Sequence, residues 1–99
     1  MKIEAIGKPG GCKLLRISVD LGEPLGEGSS IHSISIRGDF FATPEEAFEQ
    51  AEQGLAGISL AGLPAKFDYL MESLQIQAIG ITGEGIFDTI KRAIDAVSV

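Results

Sequence analysis

The segment Ile34–Glu46 constrains the fold most, because it joins a strand, a turn and a helix start in one short stretch. At its beginning, isoleucines alternate with polar residues, which is typical of a strand with one buried face. Gly38 interrupts this alternation. Thr43 then stands where a helix N-cap belongs, Pro44 takes the first helical position, and Glu46 completes the spacing of a capping box. The segment therefore predicts a strand, a break and a helix that begins at Pro44.

Two adjacent phenylalanines, Phe40 and Phe41, lie between this strand and this helix. Because consecutive side chains of an extended chain point in opposite directions, at most one of them is expected in the core. The other is expected at the surface, where exposed aromatic side chains commonly anchor interfaces. Asp39, just before them, fits two interpretations: an Asx-turn to the amide of residue 41 or 42, or a contact with a partner.

The periodicity of apolar residues predicts the remaining elements. Strands are predicted over residues 2–6, 13–21 and 31–37, and helices over residues 44–56, 64–74 and 84–97. Residues 76–79 fit either strand or coil. The glycine-rich loop 22–30 is short, so the strands on either side of it are expected to pair as an antiparallel hairpin. Together these elements predict an α+β fold of two layers, a small antiparallel sheet of two or three strands covered by about three helices.

The first predicted helix has a distinct apolar stripe and polar face. The stripe consists of Ala47, Phe48, Ala51 and Leu55, and the polar face of Glu45, Glu46, Glu49, Gln50, Glu52 and Gln53. Gly57 is predicted to cap the C-terminal end of this helix.

Length and composition limit the classes of function. The 99 residues predict one domain, covering 1–99. Fourteen acidic against eight basic residues give a net charge of −6 without a cluster of Lys and Arg, which argues against nucleic acid as a partner. No apolar run reaches the length of a membrane span, and the N-terminal residues do not resemble a signal peptide. We therefore expect no membrane partner and a cytoplasmic location.

The sequence offers little for catalysis or metal binding. Nucleophilic catalysis needs a base beside the nucleophile, and a structural zinc or iron–sulfur site needs three or four ligands. Cys12 and His32 are the only cysteine and the only histidine. Alternation places His32 on the core side of its strand, and the hairpin leaves open a short distance between the two side chains. The simpler interpretation gives both a structural role, with no catalytic residue, metal or cofactor bound by this chain alone.

The stretch Gly7–Lys13 superficially resembles a phosphate-binding loop. It lacks the Gly-x-x-x-x-Gly-Lys-Ser/Thr pattern and precedes a strand rather than a helix, so a tight turn is the simpler prediction. Lys8 and Lys13 lie on either side of this turn. Their charges leave open the possibility that the turn helps to hold a carboxylate or phosphate that a partner presents.

Two motifs resemble the C-terminal accessory domain of lipoate-protein ligases. One is Gly38-Asp39-Phe40-Phe41 followed by Pro44-Glu45-Glu46, and the other is Lys8-Pro9-Gly10-Gly11 leading into the strand that begins near Lys13. The order of elements agrees with that domain from about Ile6 to Val97. In most bacterial ligases this domain follows a catalytic domain in the same chain, whereas in some archaea it is a separate small protein, which this chain resembles.

The resemblance implies a non-catalytic accessory subunit. Such ligases activate lipoate with ATP to lipoyl-AMP and transfer the acyl group to a lysine of E2 subunits or of the glycine-cleavage H protein. ATP, magnesium and lipoate would then belong to the assembled ligase, and the catalytic subunit would be the direct partner. The residues expected at the subunit interface are Lys8, Pro9, Gly10, Gly11, Lys13, Gly38, Asp39, Phe40 and Phe41.

The sequence departs from the family at two places, and two other functions stay open. Cys12 interrupts the glycine-to-lysine run of the upstream motif, and the loop 22–30 is longer and richer in glycine than the usual hairpin turn. The accessory domain is similar in fold to proteins of iron–sulfur assembly, so a sulfur carrier that uses Cys12 is one alternative. An interaction module unrelated to lipoate is the other.

Overall fold

The computed structural model describes residues 1–97. Its strands are β1 (Lys2–Gly7), β2 (Leu15–Leu21), β3 (Ile31–Gly38), β4 (Phe41–Thr43) and β5 (Gln77–Ile79), and its α-helices are α1 (Glu45–Gly54), α2 (Leu63–Ser73) and α3 (Gly83–Val97). A 3-10 turn at Leu60–Gly62 precedes α2. Ser98 and Val99, the last two residues of the predicted domain, lie outside the described residues.

The main sheet has three antiparallel strands in the order β1-β2-β3. Alternate residues of each strand are buried on one face, as the periodicity of β2 predicts. Helix α3 packs on β1 and β2, α2 packs on α3, and α1 lies beside β3. Because the helices lie on one side of the sheet, the predicted two-layer α+β class is confirmed, together with the β2–β3 hairpin and the three helices.

A second, two-stranded sheet was not predicted. Strand β4 pairs antiparallel with β5, with Phe41 opposite Ile79 and Thr43 opposite Gln77. Residues 76–79, which fitted strand or coil, thus contribute a short strand. The partner strand β4 is only three residues long, too short to show a periodicity of its own. It pairs with β5, which comes after α1 and α2 in the chain.

The predicted capping box at the start of α1 is wrong. Thr43 belongs to β4, and Pro44 is the N-cap residue itself, with φ of −74° and ψ of 150°. Pro44 makes no side-chain capping bond, and its carbonyl accepts the hydrogen bond from the Phe48 amide at 3.1 Å. The fixed φ of proline suits the N-cap as well as the first helical position, and the pairing of Thr43 with β5 decides between them.

The other end and the polar face of α1 also differ from the prediction. The helix ends at Gly54, with Leu55 as its C-cap. Gly57 has the positive φ of 90° that a C-cap glycine adopts, but its amide donates to the Ile31 carbonyl at 2.6 Å instead of to the helix. Glu52, predicted on the polar face, is buried. A tertiary contact of α1 with β3 therefore buries a residue of the predicted polar face.

His32 points away from the core, contrary to the alternation. The register between β2 and β3 shifts, so that Leu21 pairs with Ile31 while the preceding Asp20 pairs with Ser33. His32 is the extra residue of this β-bulge, which turns Ile31 inward and leaves His32 exposed. A bulge exchanges the buried and exposed sides of the strand for the residues that precede it. No local sequence pattern indicates this bulge.

The loop 22–30 is held in place by hydrogen bonds. The buried Ser29 hydroxyl donates to the Pro24 carbonyl and accepts from the Gly26 amide, both at 2.9 Å. The Ser29 carbonyl in turn accepts from the Leu60 amide, and the Glu27 carbonyl from the amide of Ala61. The glycine-rich loop thus anchors the 3-10 turn that leads into α2.

Candidate functional site

The upstream motif forms a tight turn between β1 and β2. The Cys12 amide donates to the Pro9 carbonyl at 3.0 Å, which closes a four-residue turn. Gly11, its third residue, has φ of 77°, as the third position of a type II turn requires. The glycines of the turn and Lys8 are exposed. The sequence prediction of a tight turn entering a strand is therefore confirmed.

This turn packs on the first turn of α3. Cys12 is buried, and its sulfur lies 3.5 Å from the hydroxyl of Thr82. A Cβ at Gly85 would stand 2.5 Å from the Cys12 sulfur and 3.0 Å from the Pro9 ring. The Lys13 amide donates to the Gly80 carbonyl at 2.8 Å. Small residues at both glycine positions thus allow the turn to lie directly against the chain that leads into α3.

The downstream motif begins with a glycine that no other residue can replace without strain. Gly38 has φ of 149°, and a Cβ there would stand 2.0 Å from the Leu14 carbonyl oxygen. That same carbonyl accepts from the Asp39 amide at 3.0 Å. The close approach of the two backbones fixes the direction in which the chain leaves β3 and enters β4.

The fold brings the two motifs to one end of the main sheet. Gly7, at the end of β1, pairs with Leu15, and Leu15 pairs with Gly38 at the end of β3. The Leu14 carbonyl links the corner Gly38–Phe41 to the strand that follows the upstream turn. The residues that the resemblance assigns to an interface therefore belong to one contiguous region of the molecule.

The two phenylalanines of the corner differ in exposure, as the sequence predicts. Phe40 is half-buried, and its ring lies 5.3 Å from the ring of Phe48. Phe41 is 59% exposed. Directly opposite Phe41, on β5, stands Ile79, which is 69% exposed. This exposed apolar pair is part of the candidate site, and Ile79 was missed because β5 reaches the corner only through its pairing with β4.

Asp39 does not form the predicted Asx-turn. Among residues 1–97, no hydrogen bond joins its carboxylate to the amide of residue 41 or 42, and its side chain is exposed. Its own amide is satisfied by Leu14. The carboxylate is therefore accessible beside the exposed Phe41.

A cleft of about 430 Å³ lies between the corner and α1. Its wall includes Glu52, whose carboxylate accepts from the Ile36 amide at 2.6 Å and lies 3.5 Å from the Arg37 guanidinium. Burial raises the pKa of the Glu52 carboxyl, and the hydrogen bond from Ile36 and the charge of Arg37 offset this only in part. Glu52 thus satisfies an amide on the free edge of β3, where another strand would otherwise be able to pair.

The two residues with nucleophile or base chemistry are far apart. Cys12 lies just before β2, near Gly38 at the end of β3, whereas His32 lies at the start of β3. An extended strand of that length separates them by roughly 20 Å. A short distance between Cys12 and His32, which the predicted hairpin left open, is therefore excluded.

Within residues 1–97, no group of three or more His, Cys, Asp and Glu side chains is placed to hold a metal ion. None of the helices in this part of the chain combines the length and the apolar character needed to cross a membrane.

A solved structure with a similar fold comes from a structural analysis of an archaeal lipoylation system, a bi-partite lipoate protein ligase and its E2 lipoyl domain from Thermoplasma acidophilum. The matched chain superposes with a TM-score of 0.69 at 23% sequence identity, and the match covers 91% of this chain and 94% of that chain. No protein-family model and no curated protein matches the sequence. The comparison shows that the two chains share a fold, and that the neighbour is part of a lipoylation system.

Proposed function

We propose that this protein is the non-catalytic accessory subunit of a two-chain lipoate-protein ligase. It would bind the catalytic subunit and support the ATP-dependent formation of lipoyl-AMP. Lipoyl-domain proteins such as E2 subunits, and the glycine-cleavage H protein, would be its indirect partners. The observation that carries the proposal is the fold shared over 91% of the chain with a component of the archaeal lipoylation system.

The geometry of the two motifs supports the proposed interface. The turn Lys8–Lys13 and the corner Gly38–Phe41 are contiguous, and Phe41 and Ile79 expose apolar surface beside them. Exposed apolar side chains that cluster on a small protein commonly mark a binding surface. We therefore assign the subunit contact to this end of the molecule, with Lys8, Pro9, Gly10, Gly11, Lys13, Gly38, Asp39 and Phe41 in or beside it.

Phe40 has a different role in this proposal. Its ring packs on Phe48, whose ring lies 6.4 Å from that of Phe67 in the core. It supports the corner from inside and orients Phe41, so its contribution to binding would be indirect.

The accessory subunit would act by closing the site rather than by chemistry of its own. Exclusion of water protects a reactive acyl-adenylate from hydrolysis and strengthens the electrostatic contacts around its phosphate. ATP, magnesium and lipoate would be held in the assembled ligase. Nothing in this role requires a nucleophile or a base from the small subunit.

The burial of Cys12 does not favour the sulfur-carrier alternative. A sulfur acceptor needs an exposed, activated thiolate. The Cys12 side chain is only 7% exposed and lies beneath the turn, against Thr82. The role that its surroundings support is packing between the turn and α3.

Complex formation tests the proposal directly. We expect this protein and the ligase catalytic chain of the same organism to co-elute from a sizing column when mixed in equal amounts. A double variant, Phe41→Ala with Ile79→Ala, should reduce co-elution while keeping the far-ultraviolet circular dichroism of the wild type. Separate elution of the two wild-type chains at concentrations of about 10 μM would contradict the proposal.

A further inference from the structure

No helix within residues 1–97 covers the outer face of the main sheet. Its residues are Lys2, Glu4 and Ile6 of β1, Arg16, Ser18 and Asp20 of β2, and Ser33, Ser35 and Arg37 of β3. They form three rows across the strands, which differ in how far their charges are satisfied within the chain.

In two of these rows a carboxylate has a partner within the chain. In the row farthest from the turns, Asp20 accepts from the N-terminal ammonium group at 3.1 Å. In the middle row, the Ser18 hydroxyl donates to the Glu4 carboxylate at 2.9 Å. Neither row contains two cationic side chains on neighbouring strands.

The third row is different. Ile6 pairs with Arg16, and Arg16 pairs with Arg37, so two guanidinium groups stand on neighbouring strands. Arg16 is exposed and makes no hydrogen bond or ion pair within residues 1–97, and Ile6 beside it is 65% exposed. Like charges directly opposite each other on a sheet are destabilising. In the free protein this arrangement therefore has a cost, which the Glu52 carboxylate near Arg37 offsets only in part.

Arg37 also has contacts within the chain, but they use only some of its donors. One of its terminal nitrogens donates to the Ile36 carbonyl at 3.0 Å and lies 3.5 Å from Glu52. The side chain is still 69% exposed. Its remaining donors have no partner in the part of the chain that the structure describes.

The position of the third row relates it to the candidate site. It is the row next to the pairs that Leu15 forms with Gly7 and Gly38, so it lies at the same end of the sheet as both turns. Lys8 and Lys13 flank the neighbouring turn. Half of the eight basic residues thus lie at this end of a protein with a net charge of −6. The nearby carboxylates include Glu4 and Asp39, Glu52 beside Arg37, and Asp88, which lines a cleft together with Lys8.

From these observations we infer that the row Ile6–Arg16–Arg37 is a docking surface for a carboxylate-bearing segment of the ligase catalytic chain. This inference rests on the proposed function and extends the contact from the turns onto the open sheet face. Guanidinium groups bind carboxylates through two parallel hydrogen bonds. Paired arginines beside an apolar side chain suit a partner segment in which aspartate or glutamate adjoins an apolar residue.

The test measures binding of the ligase catalytic chain by titration calorimetry at several salt concentrations. The variant Arg16→Gln with Arg37→Gln should raise the Kd about tenfold or more and flatten its dependence on salt, because opposite charges across an interface are screened by ions. The variant Lys2→Gln with Lys66→Gln removes the same charge away from the row. It should change the Kd by less than about twofold.

Single variants keep the test independent of the Arg37 contact with Glu52. Arg16→Gln touches no internal partner and should still raise the Kd by about threefold or more, while Arg16→Lys should restore part of the loss. If the wild type binds and the arginine variants bind equally well, the docking surface is refuted and the proposed function stands. If the wild type itself does not bind, the proposed function and this inference both fail.

Discussion

Gly38 shows how one backbone position links the two turns. Replacing it with alanine should lower the free energy of unfolding by about 3 kcal/mol, because its φ of 149° strains any other residue and the new Cβ meets the Leu14 carbonyl. Urea denaturation of both proteins measures the effect. Gly10→Ala is the matched control, since nothing lies within 4 Å of its Cβ, and it should change stability by less than about 0.5 kcal/mol. Equal losses for the two variants would contradict this account.

Glu52 makes stability depend on pH in a defined direction. Its folded-state pKa is raised above 4.5 by burial, so its contribution to stability is present below that value and declines as the pH rises through the folded-state pKa. Glu52→Gln keeps an acceptor for the Ile36 amide and removes the ionisation. The stability of this variant relative to wild type should therefore increase between about pH 4 and pH 7.

Urea denaturation across that pH range measures the difference. Glu46→Gln, which removes an exposed carboxyl from the same helix, controls for the loss of one negative charge. A relative stability of Glu52→Gln that falls as the pH rises would show that the contact with Arg37, rather than burial, dominates at this site.

The reactivity of the Cys12 thiol tests whether this side chain is buried. Because the side chain is buried under the turn, a water-soluble thiol reagent should modify it on the order of a hundredfold more slowly in the native protein than in denaturant. Absorbance of the released thiol anion follows the reaction. Native labelling as fast as that of the unfolded chain would return the sulfur-carrier interpretation to consideration.

Substitutions of the two corner phenylalanines should affect stability and binding differently. Phe40→Ala should lower the free energy of unfolding by about 2 kcal/mol, because it removes a ring that packs on Phe48. Phe41→Ala removes only an exposed cross-strand contact with Ile79 and should cost less than about 1 kcal/mol. In binding to the catalytic chain, Phe41→Ala should raise the Kd about tenfold.

Thermal unfolding and titration calorimetry measure these two effects on the same preparations. The reverse pattern, with a stable Phe40→Ala protein and an unstable Phe41→Ala protein, would mean that the two rings have exchanged roles. A Phe41→Ala protein that binds as tightly as the wild type would remove the apolar pair from the interface.

The sequence predicts the elements of this fold well where local patterns govern them. Alternation locates β2, and apolar periodicity locates all three α-helices to within a few residues at each end. The failures have non-local causes. Strand β4 exists through pairing with β5, the bulge at His32 arises from the register with β2, and Glu52 is buried by its contact with β3. None of these contacts joins residues within one helical turn or one hairpin turn, so periodicity does not reveal them.

In the candidate site, too, local motifs were predicted and non-local contacts were missed. The motifs Lys8–Gly11 and Gly38–Phe41 were found from the sequence, and the predicted exposure of one of the two phenylalanines is confirmed. Ile79 and the row formed by Ile6, Arg16 and Arg37 required the register of the strands. Sequence motifs thus locate the turns, and pairing across strands determines which side chains surround them.

In the whole molecule, the proposed binding groups lie at one end of the fold. The turns, the Phe41–Ile79 pair and the arginine row all lie at the end of the main sheet where β1 and β3 finish and β2 begins. The helices bury the opposite face of the sheet and supply the core. A helix-covered sheet that exposes binding groups at one end is what the proposed accessory subunit requires.

The central claim is tested most directly by lipoate-dependent release of pyrophosphate from ATP by the ligase catalytic chain of the same organism. The account predicts that increasing amounts of this protein stimulate the release until the two chains are present in equal numbers, and that Phe41→Ala shifts the titration to higher concentration. A catalytic chain that is equally active with and without this protein would contradict the account.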